Sequence, residues 1–174
     1  MKTKCAVGTV LGLLVIASIT MCVDTEPEQH IRFDTVWNGE YDFWAVEEDG
    51  DIGNESFFIF TDENEWISFL DKYSDRRGFV FDDFEDFFLI AAFQGLKPTG
   101  GYGIQISEIV QKGGIVKIKV DLKEPRPGER VEEAETLPYH IIKVEKGRIK
   151  KGEITFVFLD LNGKKLDTIE KIIS

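Results

Sequence analysis

Residues 87–93, Phe-Phe-Leu-Ile-Ala-Ala-Phe, form an unbroken apolar run. A run of that length, rich in Phe and Ile and followed by Gly and Pro, predicts a buried strand. It leads into a loop at 95–102 and leaves through a period-two segment at 102–110. Within the loop Pro98 fixes its own φ and lacks a donor, while Gly100 and Gly101 permit positive φ or a close backbone approach. Segments 102–110 and 115–122 flank Gln111-Lys-Gly-Gly114 and read as a hairpin. Val116, Ile118, Val120 and Leu122 point inward and Lys117, Lys119 and Asp121 point out, so one face is wet.

The same reading extends to both sides. Residues 31–37 and 41–46 predict two strands joined by a turn at Asn38-Gly39. Residues 57–60 predict another buried strand. Asp62-Glu-Asn-Glu65 starts a helix, with Asp62 as N-cap and Glu65 at N3. Trp66, Phe69, Leu70 and Tyr73, at i, i+3, i+4 and i+7, form one apolar stripe for packing on a sheet, and 75–78 ends the helix. Downstream, 124–128 with its two prolines is a loop, and 131–136 is acidic and ambiguous. Residues 138–144 are a strand beginning with Pro, and 146–152 is a basic turn. Segments 154–161 and 164–169 bracket Asn162-Gly163, a second hairpin dipeptide. No repeat is present. The sum is an α+β domain with a mainly antiparallel sheet, folded over as a small barrel or a sandwich, and one amphipathic helix packed on it.

Composition narrows the function. The 174 residues support one domain plus a short appendage, and 43% apolar residues suffice for a core. Twelve of the fourteen Phe and all three Trp lie between Phe33 and Phe93, so the acids there belong to a folded surface. The formal charge is −11, and loss of the first 21 residues removes only Lys2 and Lys4, making it more negative. Such a surface disfavours nucleic acid and anionic lipid headgroups.

Both cysteines, Cys5 and Cys22, are N-terminal. Lys2 and Lys4 followed by the uncharged apolar stretch 6–19 have the form of an export signal, too short for a comfortable span. Ile-Thr-Met-Cys22 resembles a lipobox, with Met21 departing from the small residue expected before the cysteine. Lipidation at Cys22, ordinary cleavage and an uncleaved anchor all stay open. The expected organisation is a signal at 1–22, a polar tether at 23–30 and one globular domain at 31–174. The expected location is the extracytoplasmic face of the membrane, with the N-terminal anchor as the sole membrane contact.

Candidate chemistry is thin. Asp49, Asp51, Asn54 and Glu55 fail calcium-loop spacing, because Gly53 and Asn54 are transposed and Phe60 stands where the bidentate Glu belongs. Asp82, Asp83, Glu85 and Asp86 alternate with Phe and read as a solvated loop or strand edge. No Gly-x-Ser-x-Gly occurs, and the only histidines are His30, in the tether, and His140, mid-strand. Zinc finds no body cysteine and no histidine pair. No catalytic residue, metal ligand or cofactor is assigned, and the chain is read as a non-enzyme.

One resemblance adds to this. Phe93-Gln-Gly-Leu-Lys-Pro-Thr-Gly-Gly-Tyr-Gly-Ile104, Glu124-Pro-Arg-Pro-Gly128 and Thr136-Leu-Pro-Tyr-His-Ile-Ile-Lys-Val144, in that order after a Trp-containing helix, resemble the C-terminal domain of the PrcB family of protease-complex subunits. The likeness runs from about Trp66 to Lys146. It implies an exported accessory module whose partner is an extracytoplasmic protein, a protease in the family's namesake case. The candidate contact residues are Lys97, Pro98, Thr99, Gly100, Gly101 and Tyr102 of the loop, with Pro138 and Tyr139 beside them. Two readings of that loop stay open, a rigid recognition element or a purely architectural corner. The alternative function is a small-ligand or glycan binder that uses exposed aromatics.

Overall fold

The computed structural model describes residues 26–44, 52–75 and 78–174. The predicted signal with Cys22, the start of the tether, residues 45 and 46 of the predicted second strand, and the acidic turn at 47–51 lie outside them. The described chain forms two sheets and one α-helix, α1 (Glu63–Tyr73). The five-stranded sheet has the order β1-β5-β6-β8-β9, built from β1 (Gln29–His30), β5 (Gly103–Lys112), β6 (Ile115–Lys123), β8 (Gly152–Asp160) and β9 (Lys165–Ile173). The four-stranded sheet has the order β2-β7-β4-β3, from β2 (Asp34–Gly39), β3 (Ser56–Phe60), β4 (Phe87–Phe93) and β7 (Tyr139–Glu145).

β4 explains the layering. Its side chains alternate between two cores: Phe88, Ile90 and Ala92 enter one cluster with Ile106, Ile118 and Phe156 of the five-stranded sheet. Leu89, Ala91 and Phe93 enter a second cluster with Trp66, Phe69, Leu70 and Tyr73 of α1. A strand covered on both faces has no polar side, and this accounts for the unbroken apolar run. The architecture is therefore helix on sheet on sheet, a sandwich with a helical cover and not a closed barrel. Each large side chain fully buried here contributes about 2 kcal/mol.

The helix begins as its sequence requires. Asp62 Oδ1 accepts the Glu65 N–H at 3.0 Å, and Glu65 Oε2 accepts the Thr61 N–H at 2.9 Å. The reciprocal bond thus reaches one residue further back than a strict capping box. Trp66 Nε1 donates to the Phe79 carbonyl at 3.2 Å, pinning the chain that returns from the helix.

Two expectations need correction and one a refinement. Asn38-Gly39 is no hairpin turn: both residues lie inside β2, opposite His140 and Tyr139 of β7. Residues 41–44 are irregular. Gly39 is required for closeness, since a Cβ there would stand 2.7 Å from Asp42 Oδ2 and 2.8 Å from Tyr139 Oη. The sheets are mainly antiparallel, as expected, with one exception: β6 pairs with β8 in parallel. After β6 the chain crosses to the other sheet as β7 and re-enters beside β6, which no tight hairpin could achieve. Finally, Gln29 and His30, assigned to the tether, pair with Gln111 and Val110 of β5.

His140 joins the two sheets. It is 2% exposed, and its Nδ1 accepts the Ile106 N–H of β5 at 2.9 Å. The ring nitrogen left with the proton is Nε2, which donates to Thr35 Oγ1 of β2 at 2.8 Å. Burial pulls this imidazole down to about 4. Between the ordinary histidine value and about 4 the unfolded chain binds a proton that the folded chain does not. Stability from this residue is complete above pH ~6.5 and lost as pH falls toward 4, by on the order of 3 kcal/mol. Urea titrations at pH 7 and pH 4 should show this loss in the wild type, with His140→Gln showing a smaller drop over the same interval. An equal drop in both would remove His140 from the acid sensitivity.

Candidate functional site

The loop at 95–102 leaves β4 in one sheet and enters β5 in the other. It is held from one side by the segment at 131–136. Lys97 N–H donates to Thr136 O at 2.8 Å and Thr136 N–H returns to Lys97 O at 2.9 Å. Thr136 Oγ1 donates to Thr99 O at 3.0 Å, and Gly100 N–H to Glu132 O at 2.9 Å. Leu96 N–H donates to Gly53 O at 2.8 Å on the opposite flank. Pro98 stands at the exposed point, where its missing donor leaves nothing unsatisfied. Gly101 has φ +86, and a Cβ on it would sit 2.7 Å from Val131 Cγ1 and 3.2 Å from Pro125 Cβ. Backbone conformation and space both require glycine there.

The candidate contact residues divide. Pro98 is exposed, Lys97, Thr99, Gly101 and Tyr102 are half-buried, and Gly100 is buried. Lys97 Nζ lies 5.5 Å from the Tyr102 ring centroid, a cation–π contact that orders both side chains. Pro138 and Tyr139 are buried and offer no surface. The Tyr139 ring packs edge-on against Phe43 at 4.7 Å, and its hydroxyl donates to Asp42 Oδ2 at 2.6 Å. Burial, reinforced by that carboxylate, raises the phenol far above its usual range.

The sequence pattern did not disclose what takes their place. Leu96 is 47% exposed beside Lys97, and Tyr41 is 57% exposed. Tyr41 Oη donates to Glu132 Oε2 at 3.0 Å, which ties the 40–44 segment to the strap behind the loop, and the Glu132 carboxylate raises the Tyr41 phenol. The two partners are 91 residues apart, beyond any local signal. Next to the loop an open groove of about 890 Å³ lies between the ends of β5 and β6 and the 124–129 loop. Its lining includes Gly103, Gln105, Lys123, Arg126 and Pro127 but no aromatic ring, so it lacks a stacking surface for a sugar.

Among the described residues no three His, Cys, Asp or Glu side chains gather as a metal site. Asp82, Asp83, Glu85 and Asp86 are exposed on the loop before β4, at the end of that strand away from the 95–102 loop. Both His140 nitrogens are committed, Nδ1 across the seam to Ile106 of β5 and Nε2 within its own sheet to Thr35 of β2.

Residues 88–145 match the family model of the PrcB C-terminal domain. The PrcB match begins in β4, takes in the loop, the β5–β6 hairpin and the strap, and ends in β7. It bears out the central part of the likeness drawn from the motifs, while α1 lies outside it. No curated protein and no solved structure matches the chain.

The geometry distinguishes the two loop glycines. A Cβ on Gly100 meets Glu132 Cβ at 3.4 Å, an ordinary contact. Gly101→Ala should therefore lower stability by about 1–3 kcal/mol while Gly100→Ala stays within about 1 kcal/mol of wild type. Chemical denaturation of the two variants side by side measures this; equal effects would mean that Val131 does not press on the loop.

Proposed function

We propose that this chain is an exported, non-catalytic accessory subunit, held at the extracytoplasmic face of a membrane by its N-terminal segment. It docks on another extracytoplasmic protein through the exposed crest at 96–98 and the adjoining Tyr102. The PrcB match favours a protease-complex role at the level of the family, and a protease is the partner class proposed here.

The observation that carries this reading is the bracing of the loop. Four hydrogen bonds from the 132–136 strap fix its backbone, yet Leu96 and Pro98 remain exposed. A preformed loop loses little conformational entropy on association, and binding residues concentrate on loops held by a rigid scaffold. Polar carbonyl and lysine groups flank a small apolar crest, a pattern suited to a protein surface.

The test is affinity capture of the tagged full chain from detergent-solubilised membranes, beside a Leu96→Asp, Pro98→Asp double variant that retains its circular dichroism spectrum. Wild type should retain a protease, and the variant should lose it by about tenfold or more, the scale of about 1.4 kcal/mol or more of lost contact energy. Equal retention by both forms would make the loop architectural and move the interface elsewhere.

A further inference from the structure

β9 is the outer strand of the five-stranded sheet, paired on one side alone. Its free edge can be read from the ladder. Thr155 N–H donates to Gly114 O, which turns the Thr155 backbone toward β6. Backbone groups alternate in direction along a strand, so Ile154, Phe156 and Phe158 face β9. Their partners Lys171, Ile169 and Asp167 are thereby spent on β8. Thr168, Glu170 and Ile172 direct their N–H and C=O groups outward. Thr168 N–H is met by its neighbour's Asp167 Oδ1 at 2.7 Å, in keeping with that direction. β3 of the other sheet lies close to this strand without hydrogen-bonding to it. Open grooves of about 420 and 380 Å³ run between them, one bordered by Thr61, Glu170 and Ile172 and the other by residues 54–58, Leu166 and Asp167. Ile172 is 70% exposed. The strand contains neither Pro nor Gly, but it carries Lys165, Asp167, Glu170 and Lys171, charges that oppose indiscriminate pairing at an edge and admit only a partner of complementary charge.

We propose that the β9 edge pairs with β9 of a second copy of this chain, antiparallel and centred on Ile169, to form a two-fold dimer with one continuous sheet. Charge selects both partner and register. Centring on Ile169 sets Asp167 opposite Lys171 and Thr168 opposite Glu170, each twice by symmetry, all within the regular part of β9 that follows the irregularity at Leu166. Moving the centre to Thr168 sets Asp167 against Ile169 and leaves Lys171 without an acidic partner in the ladder. Centring on Glu170 or Lys171 sets that residue against its own copy. Opposite charges across a ladder stabilise it and like charges oppose it. In the dimer, the Thr168 N–H exchanges its Asp167 cap for the Glu170 carbonyl of the second copy. The freed Asp167 carboxylate then meets Lys171 of that copy. Lys171 Nζ is also paired with Glu65 of α1 in its own chain, so in the dimer it is shared between Glu65 and the copy's Asp167. This pairing is independent of the docking loop.

Sedimentation equilibrium of the full chain tests it. Wild type should show a monomer–dimer equilibrium, and Asp167→Lys and Lys171→Glu alone should each weaken it by about tenfold or more. An equimolar mixture of those two variants should recover the dimer, because each then meets the opposite charge at both ends of the ladder. Thr168→Glu, a change at an exposed side chain that sets a like charge against Glu170 of the second copy, should weaken association similarly and decides the matter if Lys171→Glu fails to fold against Glu65. A wild type that stays monomeric throughout, an Asp167→Lys or Thr168→Glu chain that associates as tightly as wild type, or a mixture of two folded charge variants that stays monomeric would overturn the proposal.

Discussion

The seam between the two sheets depends on one neutral imidazole. A sandwich needs its layers to close on apolar contact, yet where β5 crosses β7 the Ile106 N–H points away from any strand that could pair with it. His140 supplies the acceptor from inside the core and hands its own proton to Thr35 of β2. A charged ring could not accept from Ile106, since both of its nitrogens would be donors. An apolar replacement would leave a backbone donor buried without a partner, at a cost of about 1–3 kcal/mol. The layered core and the spacing of the strands on either side therefore rest on histidine staying neutral at that point.

From this seam the chain organises its loop end. The loop after β4 must pass from one sheet to the other, and such a crossing normally leaves several backbone groups unpaired. Here the strap at 132–136 takes them up, and Tyr41 fastens the strap from the far side through Glu132. The bracing is what an architectural corner needs, and it also preforms the surface that the proposed recognition role would use. The same hydrogen bonds that make it a structural corner hold Leu96 and Pro98 in one exposed arrangement.

Much of this was legible in the chain because the signals were local. The stripe of Trp66, Phe69, Leu70 and Tyr73 is buried as its spacing required, and Asp62 and Glu65 start the helix. The run at 87–93 is the doubly covered strand. The two Asn-Gly pairs show where local reading ends. Asn162-Gly163 sits in the turn between β8 and β9, with Gly163 at φ +84. Asn38-Gly39 has the same letters, but Gly39 is there to make room for the Tyr139–Asp42 hydrogen bond. A dipeptide cannot tell a glycine needed for its torsion from one needed for its missing side chain. Likewise, Pro138 and Tyr139 read as contact residues beside the loop. The burial of both follows from β7 lying between β2 and β4, a long-range fact of topology.

The placement of β1 has a mechanical consequence. The N-terminal segment reaches the domain beside Val110 and Gln111, near the end of β5, whereas the braced loop joins β5 at its start. Eight residues of extended strand separate the two points by roughly 25 Å. Tension between a held N-terminus and a partner gripping the loop would run along the strands. β1 is drawn past β5, and β2 past β7, each parallel to its own axis. Hydrogen-bonded ladders loaded in that direction share the force across all their bonds at once, where a ladder pulled from its end gives way one bond at a time. Under the proposed anchoring and docking, the domain would carry load along the line joining those two points.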